Sequence, residues 1–177
     1  MNILTKNEIL ELLKEGAMRI EPFDEKCLGE LTYDIRLSDE FMAIETHITS
    51  VIDPMDVKSI KEVRINAKEL YLQPHGFVLG RSIEWMELPS NVMAMISGKS
   101  SIARLGIQVE TAYILHPGHK GFVVLEIANR NLVPVKLKYG MRIAQLIFFR
   151  LDRPVAPYHE IGKFGMQDRI RIVPCSD

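Results

Sequence analysis

The feature that most constrains the fold of this chain is a series of short segments in which apolar and polar residues alternate. In residues 33–37, YDIRL, the alternation is that of a strand with one buried face. Turn signals that contain proline or glycine, such as QPHG at 73–76 and HPG at 116–118, separate the segments. Many short strands at this spacing predict a mainly β fold, a sandwich or a barrel, rather than a parallel α/β sheet. The further strand-like segments are residues 69–72, 76–80, 92–96, 122–128, 135–137 and 144–149.

Two helices are predicted within this β framework. Thr5 and Glu8 have the spacing of a capping box, and an apolar stripe over residues 9–13 leads to a stop at Gly16. The second helix is short and covers residues 100–105, where a glycine follows its last residue. Both predictions rest on cap residues and helical spacing.

The length and charge of the chain limit what it can be. Its 177 residues fit one domain, 1–177, in which the tail from about 153 to 177 forms an arm that could fold over a site. A net charge of −1 gives no electrostatic argument for a nucleic-acid or membrane partner. No run of about 18 apolar residues is present to span a bilayer. Any bound anion therefore needs a local cluster of basic groups.

The cysteines and the N-terminus indicate the compartment. Cys27 and Cys175 are far apart and in no paired spacing. The first residues, MNILTKNEILELLKEG, carry acidic side chains where a signal peptide has a cationic region. Two free thiols behind such a start favour the reducing cytoplasm. We interpret both thiols as small apolar side chains without a chemical role.

The segment GKSSIARLG, residues 98–106, has the pattern of a phosphate-binding site. A strand runs into a glycine, and Lys99, Ser100 and Ser101 stand where a helix begins. Free backbone N–H groups and a partial positive charge at a helix start suit a phosphate, and Arg104 lies about one turn further on. An alternative is equally open, in which Ser100 only caps a short helix and Arg104 is solvated.

A second segment, HPGHKGFVVLEIAN at residues 116–129, places a carboxylate within an apolar strand. With a period of two, Glu126 points to the same face as Val124 and Ala128. A carboxylate among apolar neighbours has a raised pKa, which suits a general acid or base. The alternative is a glutamate paired with Arg or Lys at a subunit interface.

Taken in order, these motifs resemble the dCTP deaminase family of the trimeric dCTP deaminase/dUTPase superfamily. The resemblance rests on GKSSIARLG, the Pro-Gly turn, VVLEIAN and YGMRIAQLIF, with TYDIRLSDEF upstream and KFGMQ in the tail. It implies a distorted β-barrel or jelly-roll subunit with an N-terminal helix and one short helix after Gly98. It also implies a homotrimer with active sites between subunits and a magnesium–triphosphate substrate.

The resemblance assigns roles to the two segments. Glu126 matches the general base that activates water for attack on C4 of cytosine. Ser100 and Arg104 match residues that orient this water and stabilise charge in the transition state. Lys99 and Ser101, together with Ser100, match the phosphate-binding segment.

The resemblance extends to the loop, the turn and the tail. Lys163 and Gln167 match tail residues that close over the triphosphate, and Tyr158 matches an aromatic tail contact. Ala112 lies in the loop whose backbone groups recognise the base edge. His116 lies where it can donate a hydrogen bond to a sugar hydroxyl.

Metal requirements follow from what the sequence lacks. Zinc deaminases need a Pro-Cys-x-x-Cys pair, and this chain has no such pair, so zinc activation of that kind is not expected. Water would be activated by a carboxylate and hydrogen bonds. Magnesium would be held mainly by the substrate phosphates, and no metal-ligand residues of the protein are predicted.

Two residues and one loop depart from the family pattern. Relatives usually carry Asp at the position of His116, which in dUTPases activates the water that attacks phosphorus. They usually carry a bulky aromatic at the position of His119, against the deoxyribose. The loop 107–111 is shorter than in the commonest bacterial deaminases and nearer to the bifunctional members.

The sequence therefore predicts an enzyme that converts dCTP to dUTP and ammonia, with dCTP and dUTP as ligands. The resemblance also admits dTTP as an inhibitor. One alternative is a dUTPase or a bifunctional enzyme that forms dUMP; the missing acid at His116 argues against it more strongly than loop length argues for it. The other is a trimeric nucleotide-binding protein without catalytic activity.

Overall fold

A computed structural model describes residues 1–57, 60–110 and 112–172. Its helices are α1 (Lys6–Lys14), α2 (Ser100–Ala103) and α3 (Tyr158–Ile161), with a 3₁₀ turn at Glu25–Cys27. The strands are β1 (Asn2–Ile3), β2 (Arg19–Glu21), β3 (Thr32–Ile44), β4 (Glu62–Asn66), β5 (Glu69–Leu72), β6 (Phe77–Glu87), β7 (Val92–Gly98), β8 (Ile107–Glu110), β9 (Ile114–Leu115), β10 (Lys120–Asn129), β11 (Val135–Lys138), β12 (Arg142–Arg150) and β13 (Met166–Gln167).

Eleven strands within the described ranges form one curled sheet. Its main order is β13-β10-β6-β3-β12-β7-β9, and β1, β2, β4 and β8 join it at β12, β6, β3 and β10. Strands β5 and β11 form a separate antiparallel pair. The sheet curls into half of a barrel, which confirms the predicted mainly β fold. No helix in these ranges is long and apolar enough to cross a membrane.

Strand β10 contributes one of its two faces to the hydrophobic core. Its residues Val123, Leu125 and Ile127 are at most 1% exposed and belong to the main cluster of buried side chains. Because side chains alternate between the two faces of a strand, the residues between them point to the other face. Burying an aliphatic side chain of this size contributes roughly 1.5–3 kcal/mol. The burial of one face thus fixes where the polar residue of this strand points.

The first helix begins as its sequence predicts. The Glu8 carboxylate accepts hydrogen bonds from the Thr5 backbone N–H (2.9 Å) and the Thr5 hydroxyl (2.8 Å). These two hydrogen bonds hold the pKa of Glu8 below its usual value. Gly16 has a φ of 70°, so it ends the helix in a conformation that favours glycine.

The predicted strand segments all fall on observed strands, and α2 covers the first four of its six predicted residues. The predicted loop at 107–111 is wrong: residues 107–110 form β8, which pairs antiparallel with β10. Ile107 and Val109 alternate with polar residues, and pairing with a neighbouring strand satisfies their backbone groups. Thr111 and Cys175 lie outside the described residues, whereas the Cys27 thiol is free and buried in the core.

The end of β10 is held by a fully buried amide. The Asn129 side-chain nitrogen donates to the carbonyl oxygens of Leu72 (3.0 Å), Gln73 (3.1 Å) and Val133 (2.9 Å), and its side-chain oxygen accepts from the Asn131 N–H (2.9 Å). This single side chain joins the end of β5 and the residue after it to the turn that follows β10. A donor is required there, because carbonyls surround the nitrogen.

We expect Asn129→Asp to destabilise the protein by about 3 kcal/mol or more, because a buried carboxylate would replace a donor among three carbonyl oxygens. Urea unfolding measures the change in the free energy of unfolding. Asn66→Asp, on the exposed end of β4, is the matched control and should change it by less than about 0.5 kcal/mol. Equal effects of the two substitutions would contradict this role for Asn129.

Candidate active site

A cavity of about 370 Å³ opens beside the polar face of β10. Apolar side chains from β3, β6, β7 and β10 form much of its wall, and residues of the tail form another part. A pocket of this volume, mainly apolar with a few polar groups, is typical of a small-molecule site. The polar and charged side chains at the cavity are His116, His119, Glu126, Tyr158, Gln167, Arg169 and Arg171.

Glu126 lies at the middle of this site on β10. It is half-buried and is aligned with Leu79 of β6 on one side and Glu110 of β8 on the other. Val124, two residues before it, lines the same cavity, as the alternation of the sequence predicts. A carboxylate here faces an enclosed, largely apolar space. The raised pKa expected for Glu126 stays a prediction.

The tail is packed against the turn that follows Leu115. The Tyr158 N–H donates to the Pro117 carbonyl (2.9 Å), and the His159 ring Nδ1 donates to the Gly118 carbonyl (2.7 Å). The Tyr158 ring stacks on His116, with ring centroids 4.8 Å apart and planes 16° apart. Two predicted site residues, His116 and Tyr158, are therefore in direct contact, and residues of the tail line the cavity.

A second contact ties the tail to the start of β10. Strand β13 pairs parallel with β10, where Gly121 is aligned with Gln167. Gly121 has a φ of 142°, and a Cβ at this position would lie 2.5 Å from the Gln167 carbonyl oxygen, so only glycine fits. Gln167 lines the cavity, and its buried side-chain oxygen has no hydrogen-bond partner in the part of the chain that the structure describes.

His119 is a buried neutral ring at the cavity wall. It is 3% exposed, and its Nε2 donates to the Gly121 carbonyl (3.2 Å). Burial lowers the pKa of His119 to about 4, with a small further lowering by His116. The ring is therefore uncharged at neutral pH, and it packs where the family pattern has an aromatic side chain.

The structure brings together some of the predicted residues and leaves others apart. Ala112, His116, Glu126, Tyr158 and Gln167 line one cavity. The other predicted site residues, all within the described ranges, are not part of its wall; these are Lys99, Ser100, Ser101, Arg104 and Lys163. On or beside α2, Ser100, Ser101 and Arg104 are exposed.

Sequence reasoning missed two groups of residues. Arg169 and Arg171 lie at the cavity, and the basic character of the tail was the only signal for them. Asp34 is a buried carboxylate that accepts from the Lys99 ammonium at 2.6 Å and from the Arg142 guanidinium at 3.3 Å. The alternation of β3 gave no sign that this aspartate is buried.

No group of three or more His, Cys, Asp or Glu side chains in the described ranges is placed to hold a metal ion. Among the described residues, the cavity wall holds two arginines and two histidines beside one carboxylate. Its charges therefore suit an anionic ligand with an uncharged end that can enter the apolar part of the cavity.

Comparison with known proteins identifies the family of this chain. A sequence model of the family described as dCTP deaminase-like matches residues 3–151. A protein of Methanosphaerula palustris named "dCTP deaminase, dUMP-forming" is 40% identical over 160 residues, which cover 89% of this chain and 86% of that protein. A protein of Halorubrum lacusprofundi named "dCTP deaminase" is 36% identical, over 88% of this chain and 81% of its own length.

Solved structures show the same fold. The 2'-deoxycytidine 5'-triphosphate deaminase of Agrobacterium tumefaciens superimposes with a TM-score of 0.65 at 21% identity, over 92% of this chain and 51% of that one. The dUTPase of Staphylococcus bacteriophage 80alpha superimposes with a TM-score of 0.51 at 13% identity, over 78% of this chain and 93% of that one. The predicted dUTPase-like fold is thereby confirmed.

The buried His119 predicts how stability depends on pH. Its pKa falls from 6.5 in the unfolded chain to about 4 in the folded one, so the unfolded state binds the proton first as the pH drops. Above pH 6.5 the protonation of His119 does not reduce the free energy of unfolding. As the pH falls from 6.5 to about 4, the free energy of unfolding decreases progressively, by about 3 kcal/mol in total.

His119→Phe should remove this part of the pH dependence, because phenylalanine does not titrate. Urea unfolding at several values between pH 4 and pH 7 measures it. His47→Phe, at an exposed position, is the control and should leave the slope unchanged. A slope that is the same in His119→Phe and in the parent protein would contradict the assignment.

Proposed function

Because this chain belongs to the dCTP deaminase-like family, we propose that it catalyses the hydrolytic deamination of dCTP. The observation that carries the proposal is Glu126, which stands half-buried on the wall of a cavity large enough for a nucleoside. Ala112 lies at the same cavity, so its backbone groups are available to a base edge. The neutral wall at His119 suits an uncharged sugar.

In the proposed reaction Glu126 takes a proton from water, and the resulting hydroxide attacks C4 of cytosine. This proton passes to the departing amino group and the proton of the added hydroxyl ends on N3, so ammonia leaves and the C4 carbonyl of uracil remains. Water and dCTP thereby give dUTP and ammonia, with atoms balanced. No zinc is required for these steps, because the carboxylate replaces the metal in activating water.

Ser100 and Arg104 are proposed to orient the water and to stabilise the charge on the transition state. Neither residue lines the cavity that contains Glu126 in the same chain. We therefore propose a homotrimer in which α2 of one subunit completes the cavity of its neighbour. The exposure of Ser100, Ser101 and Arg104 supports this, since these side chains are accessible to another subunit.

The triphosphate needs positive charge from several elements. Lys99 and Ser101 are proposed to bind it from α2, and Lys163 and Gln167 from the tail; Arg169 and Arg171 lie where they add to this charge. Magnesium prefers oxygen ligands, which phosphates and water supply, so we expect the ion to arrive with the substrate and to neutralise part of its charge.

A second candidate function is the further hydrolysis of dUTP to dUMP. The Methanosphaerula relative is named as dUMP-forming, which favours this candidate. The short segment 107–111, of which residues 107–110 form β8, is nearer in length to the bifunctional members and also favours this candidate. Against it stands His116, an exposed imidazole stacked on Tyr158 where the family pattern has an aspartate. We propose dUTP as the main product for this reason.

Glu126→Gln should lower ammonia release from dCTP by about a thousandfold, because glutamine cannot accept the proton from water. It should keep dCTP binding, since the side chain has nearly the same size. Ammonia is measured in a coupled assay, and binding by calorimetry with magnesium present.

Glu69→Gln, an exposed carboxylate on β5, is the control and should keep full activity. Normal turnover by Glu126→Gln would exclude the proposed role of Glu126. A parent protein that binds dCTP but releases no ammonia would instead establish a nucleotide-binding protein without this activity.

The product depends on His116. With the parent protein, ammonia should exceed pyrophosphate; His116→Asp should raise pyrophosphate release by at least about tenfold, because an aspartate can activate the water that attacks phosphorus. Chromatography separates dUTP from dUMP. His47→Asp is the control for an added surface charge. Equal amounts of ammonia and pyrophosphate from the parent protein would establish the dUMP-forming reaction.

A further inference from the structure

Two cations surround a buried carboxylate at the start of α2, and their side chains are 25% (Lys99) and 49% (Arg142) exposed. The Asp34 carboxylate on β3 accepts from the Lys99 ammonium (2.6 Å) and the Arg142 guanidinium (3.3 Å), and the side chain of Asp34 is 8% exposed. The two strands that carry Asp34 and Arg142 are paired in the sheet, and Lys99 directly follows the strand on the other side of β12. The cluster therefore connects β3, β12 and the end of β7, which are adjacent in the sheet.

Stability alone does not explain this cluster. Removing a carboxylate and an ammonium from water costs several kcal/mol per ion, and their attraction offsets that cost only when the geometry is good. Apolar side chains at the same positions are often as stable. The Asp34–Lys99 ion pair is better explained if one of the two side chains has to be held in a fixed position.

Lys99 is the member whose position matters most. It is the N-cap of α2, and its carbonyl accepts from the N–H groups of Ile102 and Ala103, each at 2.9 Å. Its own N–H donates to the Ile143 carbonyl at 3.2 Å. The backbone direction of Lys99 therefore sets how α2 begins.

The Lys99 ammonium keeps capacity for a ligand. It has three N–H donors, of which one points to Asp34, and its side chain is 25% exposed. The cluster holds two cations and one carboxylate, so a net positive charge remains. An anion can thus approach an ammonium that is already held in place.

We propose that Asp34 is a positioning residue for substrate binding: its contact at 2.6 Å holds the Lys99 ammonium in the orientation that binds the triphosphate. The inference rests on the proposed function, because it takes the nucleotide triphosphate as the ligand of Lys99. Asp34 itself, as an anion, does not touch the phosphates.

A positioning role and a purely electrostatic role of Asp34 predict opposite effects of the same substitution on dCTP affinity. If Asp34 only reduced the positive charge, Asp34→Asn would tighten the binding of dCTP, because a negative charge near a polyanion is removed. If Asp34 positions Lys99, the same substitution weakens binding. Asp34→Glu sharpens the contrast, since it keeps the charge and moves the carboxylate by one methylene.

The experiment measures dCTP binding by calorimetry with magnesium, in the Glu126→Gln background so that no turnover occurs. We expect Asp34→Asn and Asp34→Glu each to weaken binding by about tenfold, which equals about 1.4 kcal/mol. In active protein the KM should rise more than kcat falls. When Lys99→Met is already present, Asp34→Asn should add little, because the two residues act through one contact.

Glu40→Gln is the matched control: Glu40 lies on the same strand and pairs with a cation, Arg81, away from Lys99. It should leave dCTP binding unchanged. Unchanged or tighter binding in both Asp34 variants would overturn the inference, as would losses that add fully to that of Lys99→Met. Thermal unfolding identifies a variant that fails to fold, and the other Asp34 variant then decides.

Failure of the proposed function gives a different result. In that case the parent protein releases no ammonia from dCTP. If it also fails to bind dCTP, both proposals are wrong; if it binds dCTP, the Asp34 variants still decide the positioning role. If the parent protein releases ammonia and binds dCTP, and the Asp34 variants bind dCTP normally, only the positioning role is wrong.

Discussion

The structure depends on the alternation of side chains along β10. One face of this strand supplies Val123, Leu125 and Ile127 to the core, so the strand cannot rotate or shift by one residue without exposing them. The same constraint directs Glu126 into the cavity. Burial of the apolar face of β10 thus orients Glu126, on which the proposed chemistry relies, toward the cavity. No other interaction is needed to orient the backbone at this position.

The sequence predicted the elements with strong local patterns and missed those without them. Long alternating strands such as β10 and β12 were predicted because period-two alternation is visible in a single segment. Short strands were predicted unevenly: β5 and β11, of four residues each, were predicted, whereas β8, β9 and β13 were missed. The pairing of these three is decided by a neighbouring strand. The interpretation of residues 107–111 as a loop was wrong for this reason.

The candidate site was predicted in part for a related reason. Motif resemblance identified Glu126, Ala112 and Gln167, which line one cavity. A motif does not say which residues meet in space, so the distance between the α2 segment and this cavity within one chain was not predicted. Asp34 was missed because alternation assigns a polar residue to the exposed face, whereas pairing of β3 with β12 buries it beside two cations.

The close contact between the tail and the turn has a consequence for protein engineering. A Cβ on Gly118 would lie 2.5 Å from Pro157, and one on Gly121 would lie 2.5 Å from the Gln167 backbone. The turn and the tail are therefore matched to each other and have to be exchanged together. A chimaera that receives the tail of a relative should keep its cavity closed only when the turn is transplanted together with it.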